Sequence, residues 1–274
     1  GDPHDEGTTV RRGALAIPGL PPVPKPGPRD SGRLQLAQWL STPTHPLTSR
    51  VMVNRLWTRL FGQGIVRTVD DFGITGEKPA HPELLDHLAI RFVEGGWSVK
   101  SMLRAIMLSR AYRQGSNRAS GGVPPELPAG MPLRRLELEA LRDVMLQVSG
   151  QLELARPPPI KVMGTGGKGN SGRTRAAIGV ESPYRTVYLP VLRDLLPAMH
   201  EVWDFPNPSQ ILGQRQVTTV PAQALFMLNN DCVLRAARLL ADSLDTTRQD
   251  DAVRALYTRL LCRAPDAAEL GEAR

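Results

Sequence analysis

The chain has 274 residues, of which 41% are hydrophobic and 5% aromatic, and it carries a formal net charge of +7. This length allows one large domain or two small ones, and the apolar fraction is ample for a hydrophobic core, which excludes an intrinsically disordered chain. Few aromatic side chains are available for base stacking, and no helix-turn-helix, zinc or RNA-recognition signature is present, which disfavours nucleic acid as a partner.

Prolines set the first boundary of the predicted domain organisation. Seven of them fall within residues 1–30, which predicts an extended arm or linker. Residues 31–262 are predicted to form a single mainly helical domain. Within it, residues 46–114 form the core unit, and the glycine-rich stretch 155–180 is predicted to be a flexible loop.

The core unit carries three helix patterns with matching start and stop signals. The first runs from Thr48, whose hydroxyl can cap the first turn, to Gly62. The second begins at Pro82 and stops at Gly95, and Ser98 is the predicted cap of the third. No other segment of the chain is as fully specified.

Two further helix patterns follow the core unit. Arg134–Gly150 is amphipathic and is predicted to pack on the core. A later helix begins at Pro221, and its apolar residues Ala224, Leu225 and Leu228 are predicted to face inward.

A strand pair completes the predicted fold. Tyr184–Val191 alternates like a strand, and Gln214–Val220 is its predicted partner, because one strand cannot stand alone. The fold class is therefore predicted to be mainly α, a multi-helix orthogonal bundle with a small two-stranded β-ribbon.

The C-terminal region contains a cap signal and both cysteines. Asp266 and Glu269 have capping-box spacing, which predicts the start of a truncated C-terminal helix within residues 263–274. Cys232 and Cys262 fall in helix-like runs and are predicted to be buried free thiols, with a single disulfide as the alternative. Neither belongs to a Cys-x-x-Cys-His motif, so no haem or other cofactor is predicted in this segment.

An acidic group lies in and after the glycine-rich loop 62–80. It comprises Asp70, Asp71, Glu77, His81 and Glu83. Carboxylates near an imidazole could act as acid and base or hold a divalent cation. We favour the alternative that the aspartates cap backbone amides and pair with arginines, while His81 caps its own helix. The histidines lack the four-residue spacing of helical zinc sites, so no metal site is predicted.

Two other groups are candidates for binding an anionic ligand. The first comprises Arg50, Asn54, Arg55 and Arg113. Its alternative interpretation is a buried salt bridge beside a core aromatic side chain. The second comprises Arg185, Tyr188, Arg193 and Arg215. Guanidinium and phenol groups on the predicted ribbon could recognise acidic polysaccharide by hydrogen bonding and stacking.

Long motifs across the chain carry a family resemblance. They read VMVNRLW, FGQGIVRTVDDFGITGE, HPELLDHLA, GWSVKSMLRAIMLSRAYRQ, RRLELEALRD, RTVYLPVLRD, WDFPNPS and TTVPAQALFMLNND. These motifs resemble domain-of-unknown-function family 1553, the planctomycete secreted domain. That domain is found at the C-terminal end of large extracytoplasmic proteins that often also carry a c-type haem module. The resemblance implies a secreted or periplasmic location and haem-bearing neighbour modules, but no activity.

Three hypotheses for function follow. The leading one is an accessory module of a large secreted multidomain protein, which packs against neighbouring modules of the same polypeptide and binds acidic polysaccharide or cell-envelope material. The second is an enzyme of unknown reaction on polysaccharide, with the acidic group as its acid–base or metal site. The third and weakest is a basic nucleic-acid-binding domain. The accessory hypothesis predicts that Asp70, Asp71, Glu77 and His81 are each tied to arginines or backbone amides, with no pocket between them.

Overall fold

The computed structural model describes residues 7–8, 19–20, 22–115, 131–158, 182–193 and 196–273. Within these ranges the chain is mainly α-helical, as predicted, with ten α-helices and one 3-10 turn. Most of the predicted arm and of the predicted loop 155–180 lies outside them. No helix in the described ranges is long and apolar enough to cross a membrane.

The chain divides into two compact units, unit 1 (Gly1–Arg134) and unit 2 (Arg135–Arg274). The helices of unit 1 are α1 (Arg33–Leu40), α2 (Thr48–Phe61), α3 (Pro82–Glu94) and α4 (Val99–Met107). Those of unit 2 are α5 (Leu138–Val148), α6 (Ala198–Val202), α7 (Pro221–Asn229), α8 (Asp231–Asp242), α9 (Gln249–Leu261) and α10 (Ala267–Glu272), with the 3-10 turn Thr186–Tyr188 after α5.

The core of unit 1 forms where α2, α3 and α4 pack together. Val53 and Phe61 from α2 meet Leu85 and Phe92 from α3 and Ile106 from α4, and all five are buried. The stop signals act as predicted, since Gly62 ends α2 with a left-handed φ of 83° that most side chains avoid.

The caps in unit 1 follow the predictions only in part. The Ser98 hydroxyl accepts a hydrogen bond from the Ser101 amide at 3.3 Å, so it caps α4 as predicted. The predicted Thr48 cap is wrong. Nδ1 of His45 accepts hydrogen bonds from the amides of Leu47 and Thr48 at the start of α2, at 3.3 and 3.2 Å.

Unit 2 is organised around α5, which packs on α8 and on the 3-10 turn. Helix α10 begins with the predicted capping box, because Asp266 accepts from the amides of Ala268 and Glu269. Cys232 and Cys262 are both free thiols, as predicted, but Cys262 is exposed, so the prediction that both are buried is wrong.

The predicted two-stranded ribbon is absent from the described residues. Tyr184–Val191 contains the 3-10 turn, and Gln214–Val220 has no strand. The reason is that side chains already bind the backbone groups of these segments. Arg142, which is 2% exposed, donates to the carbonyl oxygens of Tyr184, at 3.0 Å, and Ser182.

Side chains also bind the backbone of the second predicted strand, Gln214–Val220. There the Thr218 amide donates to Asp204 at 2.9 Å, and the Thr218 carbonyl accepts from Arg135. Polar contacts thus satisfy groups that a β-ladder would otherwise pair.

Candidate functional site

The acidic group of unit 1 supports a loop instead of converging on a site. Asp71 accepts hydrogen bonds from the Thr75 hydroxyl at 2.6 Å and the Gly73 amide at 2.8 Å. These two bonds hold the pKa of Asp71 below its ordinary value. Asp70 forms an ion pair with Arg55 at 3.5 Å. Both aspartates therefore have structural partners.

The other three members of the group take separate positions. The Glu77 amide donates to the Thr68 hydroxyl at 2.9 Å, and Glu83 is exposed in the first turn of α3. His81 occupies the cap position of α3 without a side-chain cap bond, and its Nε2 is buried without a hydrogen-bond partner. In the parts of the chain described, no three His, Cys, Asp or Glu side chains are grouped so that they could hold a metal ion.

Asn54 fastens the loop to helix α2. Its side chain is fully buried and pairs with both backbone groups of Val66, donating to the carbonyl and accepting from the amide at 2.9 Å each. The backbone of Gly64 lies close to the Val66 carbonyl group, because a Cβ added at Gly64 would lie 2.3 Å from that oxygen. The Asn54 side chain thus satisfies both backbone groups of Val66 inside the core, as a neighbouring β-strand would.

Asn54 is predicted from the sequence to bind an anionic ligand together with Arg50, Arg55 and Arg113. These three arginines have different partners. Arg50 donates to Asp86 at 2.6 Å and to the Pro46 carbonyl at 2.5 Å. Arg55 pairs with Asp70, and Arg113 contacts the Ser109 carbonyl at 3.4 Å. Each guanidinium therefore has its own local contact, and none of these contacts is shared.

A cleft of about 350 Å³ lies beside Arg50. Its polar lining includes His45, Arg50, Asp86 and Glu94, and its apolar lining includes Ile90. His45 is 4% exposed, and burial lowers its pKa. Because its Nδ1 accepts from backbone amides, the neutral ring carries its proton on Nε2, which has no hydrogen-bond partner and lies in a ring packed edge-on against Trp39. The ring therefore caps α2 and packs against an aromatic side chain.

Arg215 of unit 2 is held by a carboxylate on α5. Its two terminal nitrogens bind the two oxygens of Glu139 at 2.6 and 2.7 Å, a bidentate pair. Burial alone would raise the pKa of Glu139, but the bonds from Arg215 outweigh it and lower the pKa. The guanidinium also lies over the Phe205 ring at 5.5 Å.

A second pair fixes the turn after α6. Asp204, which has a left-handed φ of 55°, binds Arg135 at 2.5 Å and the Thr218 hydroxyl at 2.7 Å. Burial would raise the pKa of Asp204, but hydrogen bonds from Arg135 and Thr218 outweigh it and lower the pKa. Arg135 in turn lies over the Trp203 ring at 5.5 Å. These part-buried contacts join the turn to the segments that contain Arg135 and Thr218.

Two of the four residues predicted to bind acidic polysaccharide, Arg185 and Arg215, contact carboxylates of the chain itself. Arg185 contacts Asp143 at 3.4 Å, and Arg215 is bound by Glu139. Tyr188 and Arg193 are exposed. The structure gives these four residues no common contact.

Helix α7 has an inverted pattern of burial. Its one buried residue is Gln223, which donates to the carbonyl oxygens of Val202 and Thr218 at 3.1 Å each. One face of the helix carries apolar residues that are all exposed, here called the α7 stripe. It consists of Pro221, Ala224, Leu225 and Leu228. Leu225 is 58% and Leu228 70% exposed, so the prediction that Ala224, Leu225 and Leu228 face inward is wrong.

Arg142 and His200 are among the buried polar residues that the sequence did not predict. Arg142 adjoins an apolar stripe of α5, and periodicity gave no sign that it would be buried. His200 of α6 is 7% exposed, its Nδ1 has no hydrogen-bond partner, and burial lowers its pKa. The nearest sequence signal was the adjacent WDFPNPS motif, whose Phe205 packs against the His200 ring at 4.6 Å.

Comparison with known proteins gives one match. The model of a family described as Protein of unknown function (DUF1553) matches residues 32–274. No curated protein and no solved structure matches the chain.

Proposed function

The chain belongs to the family described as Protein of unknown function (DUF1553), and on that premise we propose that it is a non-catalytic interaction module. In this proposal the module docks on a partner protein through the α7 stripe. The observation that carries the proposal is the burial pattern of α7, in which a glutamine is buried and two leucines on one face are exposed.

Exposed leucines on one helix face favour a protein interface. Single exposed apolar residues are ordinary, but an i, i+3, i+4, i+7 stripe without a polar member is the pattern of a helix that packs on another surface. Gln223 anchors the opposite side of α7 through two backbone carbonyl groups. The side of α7 opposite the stripe is therefore held by hydrogen bonds to the rest of unit 2.

The placement of the acidic group supports a non-catalytic role. Asp71 is bound by a hydroxyl and an amide, and Asp70 by Arg55. A general acid or base needs a carboxyl group directed at a substrate, whereas these carboxylates are engaged in holding the loop.

The partner in this proposal is a neighbouring module of the same polypeptide. The resemblance implies that the domain occurs in large multidomain proteins with haem-bearing modules as neighbours. A secreted or periplasmic location stays a prediction from the same resemblance. Acidic polysaccharide also stays a prediction as a ligand, and exposed arginines without a carboxylate partner would have to supply its site.

A titration of the chain against its flanking modules, expressed separately, tests the proposal. Leu225→Gln combined with Leu228→Gln should weaken the complex by at least about 30-fold, since each apolar anchor lost from an interface costs about 1 kcal/mol or more. The thermal midpoint should hardly change, because both side chains are exposed in the free chain.

A matched control uses another exposed leucine pair of unit 2. Leu260 and Leu261 at the end of α9 are 46% and 54% exposed. Their substitution by Gln should leave the complex intact. Equal loss of affinity in both double variants would contradict docking through the stripe. Turnover of a polysaccharide that disappears in Asp71→Asn would instead favour the enzyme hypothesis.

A further inference from the structure

Helix α4 has two sharply different faces. Met102 and Ile106 are buried in the core of unit 1. The opposite face and the turn after it form the α4 basic face. It consists of Lys100, Arg104, Met107, Leu108, Arg110 and Arg113, all of which are exposed. Because Lys100, Arg104 and Met107 are spaced by four and three residues, they share one side of the helix.

The charge of this face has one sign. Residues 95–114 contain four cationic side chains and no Asp or Glu. Within the described ranges, none of the four forms an ion pair, in contrast to Arg50, Arg135 and Arg215. Lys100 and Arg104 lie about 6 Å apart along α4, since a helix rises about 1.5 Å per residue, and Arg110 and Arg113 follow in the turn after it. A group of cations without acidic partners attracts an anionic surface.

Two apolar side chains lie among these cations. Met107 is 44% and Leu108 59% exposed. A sugar polyanion would be bound by the cations, and its rings would gain most from exposed aromatic side chains, but the six residues of this face include none. The interface of an anionic bilayer offers both partners, phosphate groups for the cations and acyl chains for the Met and Leu.

We propose that the α4 basic face docks peripherally on a membrane surface that contains anionic phospholipid. The cations provide the long-range attraction, and Met107 and Leu108 enter the boundary between headgroups and acyl chains. This proposal is independent of docking through the α7 stripe, which lies on unit 2.

Co-sedimentation with vesicles tests the proposal. The chain is mixed with phosphatidylcholine vesicles with or without 30% phosphatidylglycerol, a composition chosen for the assay. It should bind only the anionic vesicles, and it should bind more weakly as salt rises from about 50 to 500 mM, because salt screens exposed charges.

Two double variants separate the roles of charge and apolar contact. Lys100→Gln with Arg104→Gln should weaken vesicle binding about 30-fold, since each cation near an anionic lipid surface contributes about fivefold. Met107→Ser with Leu108→Ser should weaken it about tenfold or more without changing net charge. All four side chains are exposed, so the thermal midpoint measured by circular dichroism should stay close to that of the wild type.

A matched control removes the same charge from unit 2. Arg238 on α8 and Arg254 on α9 are exposed, and Arg238→Gln with Arg254→Gln should change vesicle affinity less than about twofold. A loss as large as that of the α4 variant would show adsorption by net charge alone and overturn the proposal.

Two other results would also overturn it. One is an absence of binding to anionic vesicles at about 50 mM salt. The other is binding to soluble polygalacturonate as strong as binding to vesicles, with both insensitive to Met107→Ser and Leu108→Ser. That second result would assign the α4 basic face to acidic polysaccharide. Neither result would bear on the titration of the α7 stripe, which uses different variants and a protein partner.

Discussion

Replacing Asn54 with Ala tests whether the centre of the VMVNRLW motif is structural. The substitution removes two buried hydrogen bonds of 2.9 Å to the backbone of Val66, a residue only 2% exposed. Water cannot readily replace them, so one amide and one carbonyl group remain unsatisfied. At about 1–3 kcal/mol for each of the two buried groups, the free energy of unfolding of unit 1 should fall by about 2–6 kcal/mol.

Urea unfolding followed by tryptophan fluorescence measures this loss, because three of the four tryptophans lie in unit 1. Arg55→Ala is the adjacent control. Its ion pair with Asp70 is 3.5 Å long and about half exposed on both sides, so we expect a loss below about 0.5 kcal/mol. If Asn54→Ala cost no more than Arg55→Ala, Asn54 would not be the anchor of the loop and would again be a candidate for ligand binding.

Three further predictions concern stability. The free energy of unfolding should fall as pH drops below about 6.5, because burial lowers the pKa of His45 and His200 and the unfolded chain therefore takes up protons first. Chemical denaturation at pH 7.5 and 5.5 checks this, and His200→Gln should reduce the slope; equal stability at both pH values would contradict it. Gly76→Ala should cost about 1–3 kcal/mol, since the added Cβ would lie 2.2 Å from the Asp71 carbonyl oxygen, whereas Gly115→Ala meets nothing within 4 Å and should be neutral in thermal melts. Arg142→Met should cost about 3–5 kcal/mol because the part-buried carbonyl groups of Tyr184 and Ser182 and the buried Thr186 hydroxyl lose their donor, whereas Arg193→Met, at an exposed position, should have little effect in the same melts.

The helices of unit 1 were predictable because their signals are local. Glycine stops, the proline start of α3 and the Ser98 cap depend on residues within one turn of each helix end. The cap of α2 was not predictable in this way. It comes from a histidine ring three residues before the helix, and histidine is not among the usual capping residues.

The ribbon failed for a long-range reason. Alternation in Tyr184–Val191 is compatible with a strand, but strand formation also requires free backbone partners. Arg142 and Asp143 lie some 40 residues earlier and bind that backbone instead. The local sequence pattern of Tyr184–Val191 gives no indication of these contacts.

The α7 stripe shows a limit of periodicity. The spacing of Leu225 and Leu228 identifies an apolar face, but it does not specify which side of the helix packs on the chain itself. Gln223 decides that side by binding two carbonyl groups from other segments. The aspartates of the acidic group differ in this respect, because the interpretation favoured from the sequence gave them backbone amides and arginines as partners. In the structure Asp71 accepts from the Gly73 amide and Asp70 pairs with Arg55.

Hydrogen exchange of α7, with and without the proposed neighbouring module, tests the proposed function most directly. Docking through the stripe should make the amides that follow Pro221 in α7 at least about tenfold more protected when that module is present. The amides of α9 should exchange at unchanged rates. Unchanged exchange in α7, with new protection confined to other helices, would contradict docking through the stripe.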